Sequence, residues 1–238
     1  MNHLICSIHQ PNFFPWIGYF LKISQSDIFI ILDDVQTQKT AGSYANRVSI
    51  ISSARHKWLV APIKRKSGVW NISDTQYHDS IPWRNQILGL IENSYRKAPF
   101  FKEFFPFLKN LILFPSNSLV EFNLNSLKAI MEYLSMPYED KIIISSSLNI
   151  QTQATQRLID LTKSVNAQTY LCGNGSDGYL EKNMFKQQNI QLKFMNIEPI
   201  HYPQLNLNEF VPGQSIIDVL MNFSRENTIR YIKEEEIK

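Results

Sequence analysis

The chain has 238 residues, 44% of them hydrophobic and 19% charged, an ordinary composition for one large globular domain or two small ones. A formal net charge of +3 without a stripe of lysines and arginines argues against nucleic acid as a partner, and two cysteines without a Cys-x-x-Cys pair argue against zinc-ribbon and thioredoxin proteins. Because the start lacks a secretory signal and no stretch reaches the ~20 apolar residues that span a bilayer, we expect a cytoplasmic protein without membrane insertion.

The N-terminal part has the pattern of a strand, a helix and a second strand. Residues 4–8 form an apolar run typical of a buried strand, residues 16–25 carry apolar side chains at helical spacing, and residues 28–32 form a second apolar run. A strand, a helix and a strand within about thirty residues make a βαβ unit, which implies a parallel sheet. Residues 48–52 and 58–61 are then predicted to pair as a hairpin.

The middle of the chain is predicted to be helical, and strands and helices alternate again after it. The later elements are helices at 82–95, 99–112, 119–134, 153–165, 180–188 and from 215 onward, and strands at 141–145, 169–172 and 192–196. This order predicts an α/β fold with a mostly parallel, Rossmann-like sheet and a helical insert. The expected divisions are an N-terminal part of the α/β domain at 1–80, the insert at 81–137, a C-terminal part at 138–232 and a charged tail at 233–238.

A dense polar and aromatic segment follows the first predicted strand: His9-Gln10-Pro11-Asn12-Phe13-Phe14-Pro15-Trp16-Ile17-Gly18-Tyr19. In open α/β sheets ligands bind beyond the carboxyl ends of the strands. The segment also leads into a helix N-terminus, whose backbone N–H groups suit phosphate or carboxylate. We expect His9 and Gln10 to be catalytic, and Trp16 and Tyr19 to contact substrate. The alternative is a proline-rich turn in which His9 and Gln10 only satisfy nearby backbone groups.

Two carboxylates close the second predicted strand. Asp33 and Asp34 could bind a cation, accept a proton or hold a sugar hydroxyl, and both are candidate catalytic residues. Because adjacent residues of an extended chain point to opposite sides, we expect only one of the two to face the site. Turn formation and salt bridges are the structural alternative. Four polar residues that follow closely are expected to bind substrate: Gln36, Lys39, Asn46 and Arg47. The two cations among these four could neutralise the aspartates or hold an anionic ligand.

A glycine-rich segment at 170–180 follows another predicted strand. Glycine lets a backbone approach a ligand closely, but the segment lacks the Gly-Lys-Ser/Thr of a P-loop. A strand–helix turn with an inert, buried thiol is the alternative, because no local signature supports a cysteine nucleophile that uses His9 as its base. The candidate binding residues here are Cys172, Gly173, Gly175, Asp177 and Tyr179.

The last predicted helix begins at Ser215-Ile216-Ile217-Asp218, a pattern similar to a capping box. We expect Ser215 to cap this helix, and Asp218 could serve a second purpose.

Together these segments resemble the WbqC-like protein family. The resemblance covers nearly the whole chain, and Tyr44 departs from it, standing where tryptophan is expected two places before Asn-Arg. It implies a place in the biosynthesis of O-antigen, lipopolysaccharide and other bacterial surface polysaccharides. The matching segments are His-Gln-Pro-Asn-Phe-Phe-Pro-Trp-Ile-Gly-Tyr-Phe, Ser26-Asp27, Asp33-Asp34-Val35-Gln36, Asn46-Arg47, the glycine-rich segment and Ser215-Ile-Ile-Asp218.

The opening of the chain is also similar to that of the nucleotidyltransferase and pantothenate-synthetase superfamily. In that superfamily a His-x-Gly-His turn binds the phosphates of ATP. Here Trp16-Ile17-Gly18-Tyr19 stands in its place, without either histidine. The likeness is one of fold and carries little weight for function.

The family context favours a transferase that moves an acyl or aminoacyl group, such as glycyl, to the amine of a nucleotide-linked amino sugar. Such a reaction needs a base, donors for an oxyanion and a site for diphosphate. His9 or an aspartate would be the base, Gln10 and glycine-loop N–H groups the donors, and Arg47 and Lys39 the diphosphate ligands.

Two other classes of function stay open. One is an ATP-dependent adenylate-forming or nucleotidyl-transfer enzyme, and the other a non-catalytic protein that binds sugar nucleotides. The cofactor stays unknown, with an acyl donor or ATP and magnesium as candidates, and no metal site of the protein is predicted. The expected partner is a small-molecule substrate, a nucleotide sugar, and a homodimer is left open.

Overall fold

The structure of the protein, a computed structural model, describes residues 3–37, 43–173, 180–198 and 200–234. The strands are β1 (Ile5–His9), β2 (Ile28–Ile31), β3 (Arg47–Ser52), β4 (Arg55–Val60), β5 (Ile142–Ile144), β6 (Thr169–Cys172) and β7 (Gln191–Phe194). The α-helices are α1 (Ile17–Ser24), α2 (Trp83–Tyr95), α3 (Phe101–Ile112), α4 (Leu119–Tyr133), α5 (Ala154–Ser164), α6 (Lys182–Gln187), α7 (Ile216–Asn222) and α8 (Arg225–Ile232). The chain divides into two compact units.

The first unit is built around a five-stranded sheet and comprises 1–10, 18–34 and 137–198. Its strand order is β5-β2-β1-β6-β7, and every pairing among these strands is parallel. The central strands are continuous apolar runs, as expected for parallel strands that are buried on both faces. Ile8, Ile30 and Tyr170 from three neighbouring strands pack with Phe185 of α6 in the core of this unit.

The chain changes direction across this sheet at β1. From β1 it moves through β2 to β5 on one side, and it then returns to β6 and β7 on the other. The boundary between β1 and β6 is therefore the topological switch point, outside which open α/β sheets bind their ligands.

The second unit comprises 11–17, 35–136 and 199–238. In it, β3 and β4 form a separate antiparallel hairpin, in register from Arg47↔Val60 to Ser52↔Arg55. Its core is rich in aromatic rings, with centroids of contacting pairs between 4.8 and 6.4 Å apart, and includes Phe13, Phe14, Tyr77, Trp83 and Phe122.

The aromatic half of the His9–Tyr19 segment thus includes core residues of the second unit. Phe14 adopts a φ of 41°, in the left-handed region that is costly for a bulky residue. Packing and a hydrogen bond stabilise this conformation. The Phe14 side chain is fully buried, and its backbone carbonyl accepts a hydrogen bond from the Ser215 hydroxyl at 2.7 Å. Asn123 fixes the same segment by donating to the Pro11 carbonyl at 3.0 Å.

The fold class predicted from the sequence is confirmed. The fold is mixed α/β with a mostly parallel sheet, consistent with a Rossmann-like arrangement, and β1 and β2 are parallel neighbours joined through α1. Ser215 caps α7 as predicted, since its Oγ accepts from the backbone N–H of Ile217 at 3.1 Å. The boundaries of the helical insert at 81–137 stay a proposal.

The sequence did not predict α8. One final helix from 215 onward was expected, but α7 ends at Asn222 and a second helix follows. Ser224 starts it by accepting a hydrogen bond from the backbone N–H of Asn227 at 3.1 Å. Across the described ranges, no helix combines the length and the apolar character needed to cross a membrane.

Candidate functional site

The predicted catalytic residues of the first unit lie at the carboxyl edge of its parallel sheet. β1 ends at His9 and β6 ends at Cys172, so both residues border the switch point. Asp33 and Asp34 follow β2, the next strand. A site of this kind is where the α/β architecture positions ligand-binding loops.

The proton of the His9 side chain has a defined position. His9 Nδ1 lies 3.1 Å from the carbonyl oxygen of Gln10. Because a carbonyl only accepts hydrogen bonds, Nδ1 must carry the proton, and in the neutral ring Nε2 is then the acceptor. Burial, together with the positive charge of Lys22, lowers the pKa of His9 to about 3. The imidazole is therefore neutral at physiological pH, with Nε2 as its hydrogen-bond acceptor.

Tyr19 supports this histidine. Its ring meets the His9 ring edge-on with centroids 4.8 Å apart, and its hydroxyl donates to the same Gln10 carbonyl at 3.0 Å. The side chain is almost fully buried. Tyr19 was expected to contact substrate, and its surroundings lead us to propose instead that it orients His9 and Gln10.

Asp33 and Asp34 are both held by the turn after β5. Asp33 is buried and accepts hydrogen bonds from the Ser145 hydroxyl, the Ser146 backbone N–H and the Ser146 hydroxyl, at 2.8 to 3.0 Å. Asp34 accepts from the same Ser145 hydroxyl at 2.5 Å and forms an ion pair with Arg157 of α5 at 2.5 Å. The structural alternative considered for this pair, a turn with a salt bridge, describes these contacts.

On the β6 side, Cys172 is fully buried and its thiol lies 3.5 Å from the Lys193 carbonyl. Gly173 opens on free space, because a Cβ added there would meet no heavy atom within 4 Å. The predicted binding residues Gly175, Asp177 and Tyr179 lie outside the described residues, as does Lys39.

The other predicted binding residues belong to the second unit. Trp16 forms an isolated antiparallel bridge with Ser215, and Gln36 forms one with Asn71. Asn46 is buried and donates its side-chain amide to the Ala61 carbonyl at 3.0 Å. The convergence of these residues on one pocket with His9 stays a prediction.

Arg47 has an aromatic neighbour that the sequence did not point to. The Arg47 guanidinium carbon lies 4.3 Å from the centroid of the Trp58 ring, at the distance of a cation–π contact. The exposed Tyr44 ring lies 6.0 Å from the same tryptophan. The predicted hairpin could have suggested this contact, because Trp58 pairs with Ser49, which lies two positions after Arg47 on the facing strand.

A second carboxylate cluster lies in the core of the second unit. Asp218 is fully buried and accepts from the hydroxyls of Tyr95 at 2.5 Å and Tyr202 at 2.7 Å, and from the Gln204 amide at 3.1 Å. Burial raises the pKa of Asp218, while these hydrogen bonds oppose the rise. Asp218 thus joins α2, α7 and the 202–204 segment, which is the second purpose that the sequence left open.

Sequence reasoning missed several polar residues near the sheet edge. Ser145, Ser146 and Arg157 bind the aspartates, but nothing near them in the chain marks them as partners of residues more than 100 positions away. Lys22 is buried within the apolar helix α1, and a lysine among Phe20, Leu21 and Ile23 was a detectable signal. Within the described ranges no three His, Cys, Asp or Glu side chains come together in a way that could hold a metal ion.

Comparison with known protein families identifies the family of the chain. The model of the WbqC-like protein family matches residues 10–230, which is most of the chain. The chain belongs to the WbqC-like protein family. It is also 28% identical over 232 residues to "Uncharacterized protein Rv1507c" of Mycobacterium tuberculosis (strain ATCC 25618 / H37Rv), covering 96% of this chain and 98% of that protein. No solved structure matches.

Proposed function

We propose that the protein is a transferase of bacterial surface polysaccharide biosynthesis, acting on O-antigen precursors. It forms an amide by moving an acyl or aminoacyl group, such as glycyl, to the amine of a nucleotide-linked amino sugar. The family supports the biological setting. The chemistry is supported by one observation above all: a neutral His9, with Nε2 as its acceptor, borders the switch point of a parallel sheet.

The reaction needs one bond formed, one bond broken and one proton moved. The amine nitrogen of the sugar attacks the carbonyl carbon of the acyl donor, giving a tetrahedral intermediate with a positive nitrogen and an oxyanion. The amine enters in its neutral form, having lost its ammonium proton to solvent, and bonding to carbon makes its nitrogen more acidic than a free ammonium, so the neutral imidazole can take the remaining proton transiently at Nε2. The bond to the leaving group then breaks, and His9 returns the proton to the leaving group.

Gln10 follows His9 directly, and we propose that its side-chain amide donates to the developing oxyanion. Its backbone carbonyl already accepts from His9 and Tyr19, which fixes the residue without using the side chain. For the nucleotide we propose Arg47 and Lys39 as ligands of the diphosphate. Asp33, Asp34 and the remaining glycine-loop residues are proposed to shape the sugar pocket.

The adenylate-forming alternative fits the chain less well. At the place of the superfamily's phosphate-binding turn, Tyr19 is buried and its hydroxyl is bonded to the Gln10 carbonyl. It therefore does not replace a histidine that contacts phosphate.

One experiment separates the three functions. The protein is incubated with UDP-linked amino sugars and, in separate reactions, an acyl-CoA mixture, glycyl-CoA, or glycine with ATP and magnesium, and products are detected by mass. A gain of one acyl group on the sugar amine is the expected result. A product found only with free glycine and ATP would indicate adenylation instead. Sugar-nucleotide binding without product in all three reactions would indicate a binding protein.

The matched variant is His9→Asn. The asparagine amide occupies the place of Nδ1 and can keep the bond to the Gln10 carbonyl, but it provides nothing at the place of Nε2. We expect sugar-nucleotide binding to persist and product formation to fall by about 10²–10⁴-fold, the range for general-base catalysis. In His9→Gln the longer side chain places its amide near the position of Nε2 and leaves the position of Nδ1 empty, so this variant tests the role of Nδ1.

A further inference from the structure

Lys22 is a buried cation that has no carboxylate partner among the described residues. Its side chain in α1 is 5% exposed, and its Nζ donates to the Ile8 carbonyl at 2.9 Å. Within the part of the chain that the structure describes, no carboxylate lies at ion-pair distance from it. Burying an ammonium group without a paired anion is costly, so a lysine at such a position calls for a specific explanation.

The position of Lys22 places its charge next to His9. The carbonyl that it binds belongs to Ile8, the residue directly before His9. Lys22 also lies three residues after Tyr19 on the same face of α1, and Tyr19 packs its ring against the His9 imidazole. The helix therefore supports the histidine with one residue and brings a positive charge near it with the other.

Among the described residues, the charged or titratable groups that affect the pKa of Lys22 are thiols and not carboxylates. They are the thiols of Cys6 on β1 and Cys172 on β6, both fully buried. A hydroxyl pair, Ser7 and Ser26, lies at 2.6 Å in the same buried layer between β1 and α1. Among the described residues these groups do not cancel the lysine charge, and that charge contributes to the lowered pKa of His9.

We propose that Lys22 is a positioning residue for His9: its buried ammonium group adds to the effect of burial in disfavouring the protonated imidazole, so that any proton that reaches Nε2 leaves readily. The inference rests on the proposed function for the purpose of this arrangement, since a base that must return its proton to a leaving group benefits from holding it weakly. The electrostatic coupling itself needs no substrate and is measurable in the isolated protein.

The acid–base behaviour of the two groups agrees with the geometry. Burial lowers the pKa of Lys22 to about 8, against the opposing influence of the two thiols. Burial and the lysine charge lower the pKa of His9 to about 3. Between the two pKa values, about 3 and about 8, the lysine is therefore charged and the histidine neutral, and at higher pH the lysine loses its charge.

The test is an NMR titration of the full-length protein from pH 4 to 10. The ring signals of His9 are assigned by their loss in His9→Asn, and His3, His56, His78 and His201 serve as internal references. In the wild type we expect His9 to show no protonation between pH 5 and 8. In Lys22→Met, which keeps a chain of similar length without charge, the proton affinity of His9 should rise at least about tenfold, and Lys22→Arg should leave it low. Equal His9 titration in the wild type and Lys22→Met would overturn the proposal.

A second measurement uses only the wild type, in case Lys22→Met does not fold. The Lys22 side-chain carbon signals should report deprotonation near pH 8, and the His9 ring signals should shift through the same step. A Lys22 titration that leaves every His9 signal unmoved would overturn the proposal as well. Failure to find an amide product would count against the proposed function and would leave these titrations unaffected, so the two ideas fail separately.

Discussion

Asp218 in the second unit and the Asp33–Asp34 pair in the first are carboxylates that different kinds of partner stabilise. Asp218 is fully buried inside the molecule, and its partners are two phenol hydroxyls and an amide. Asp33 and Asp34 follow the end of β2, where serines of the turn after β5 and Arg157 of α5 hold them at the carboxyl edge of the sheet. Burial of a carboxylate therefore does not mark a site by itself. Its place in the topology distinguishes a carboxylate of the core from one at the sheet edge, where α/β folds bind their ligands.

The largest expected effect tests the structural side of this comparison. Asp218→Ala leaves the two tyrosine hydroxyls and the Gln204 amide without their acceptor. Because each buried, unsatisfied group costs about 1–3 kcal/mol, we expect the free energy of unfolding to fall by at least about 3 kcal/mol. Urea denaturation measures it, with the exposed Glu132→Ala as the control. A loss below about 1 kcal/mol would show that the cluster is not structural.

The pH dependence of stability sharpens the same contrast. Because the pKa of Asp218 is raised in the folded protein, its protonated form favours folding. This contribution is fully present below the ordinary carboxyl pKa and is lost as the pH rises through the raised value. The stability of the wild type relative to Asp218→Asn should therefore decrease from pH 4 to pH 7. A difference between the two proteins that stays constant with pH contradicts this assignment.

A smaller effect is expected at the turn that holds the other pair. The Ser145 hydroxyl shares its single proton between Asp33 and Asp34 and accepts from the Asp33 backbone N–H, whereas among the described residues the exposed Ser147 hydroxyl bonds to the Ile144 carbonyl alone. We expect Ser145→Ala to lower the free energy of unfolding by about 1–2 kcal/mol and Ser147→Ala by about 0.5 kcal/mol or less. Thermal unfolding of the two serine variants provides a matched comparison, and equal losses would remove the special role of Ser145.

Much of the fold could be predicted because its signals are local. Apolar runs at 4–8, 28–32 and 169–172 gave strands close to their observed positions, and helical spacing gave α2, α3 and α4. The break between α7 and α8 is not visible in the hydrophobic pattern, because it depends on the cap that Ser224 forms with the backbone N–H of Asn227.

The site was harder to predict, because its contacts join distant parts of the chain. Periodicity placed His9 at a strand end, but it could not show that Nδ1 is committed to a carbonyl and that Nε2 is the acceptor. Periodicity also gave no indication that Arg157 would form an ion pair with Asp34, which lies 123 positions earlier in the sequence. Lys22 was passed over because helical spacing scores apolar residues and treats a lysine among them as a solvated neighbour.

The account is tested most directly by measuring product formation and thermal unfolding together for His9→Asn and the wild type, with a UDP-linked amino sugar and the donor that supports turnover. We predict that the melting temperature changes little, because the asparagine amide can keep the bond to the Gln10 carbonyl. We also predict that the rate of amide formation falls by about 10²–10⁴-fold while sugar-nucleotide binding is retained. An unchanged rate would contradict the account, and so would a loss of rate that merely follows a loss of folded protein.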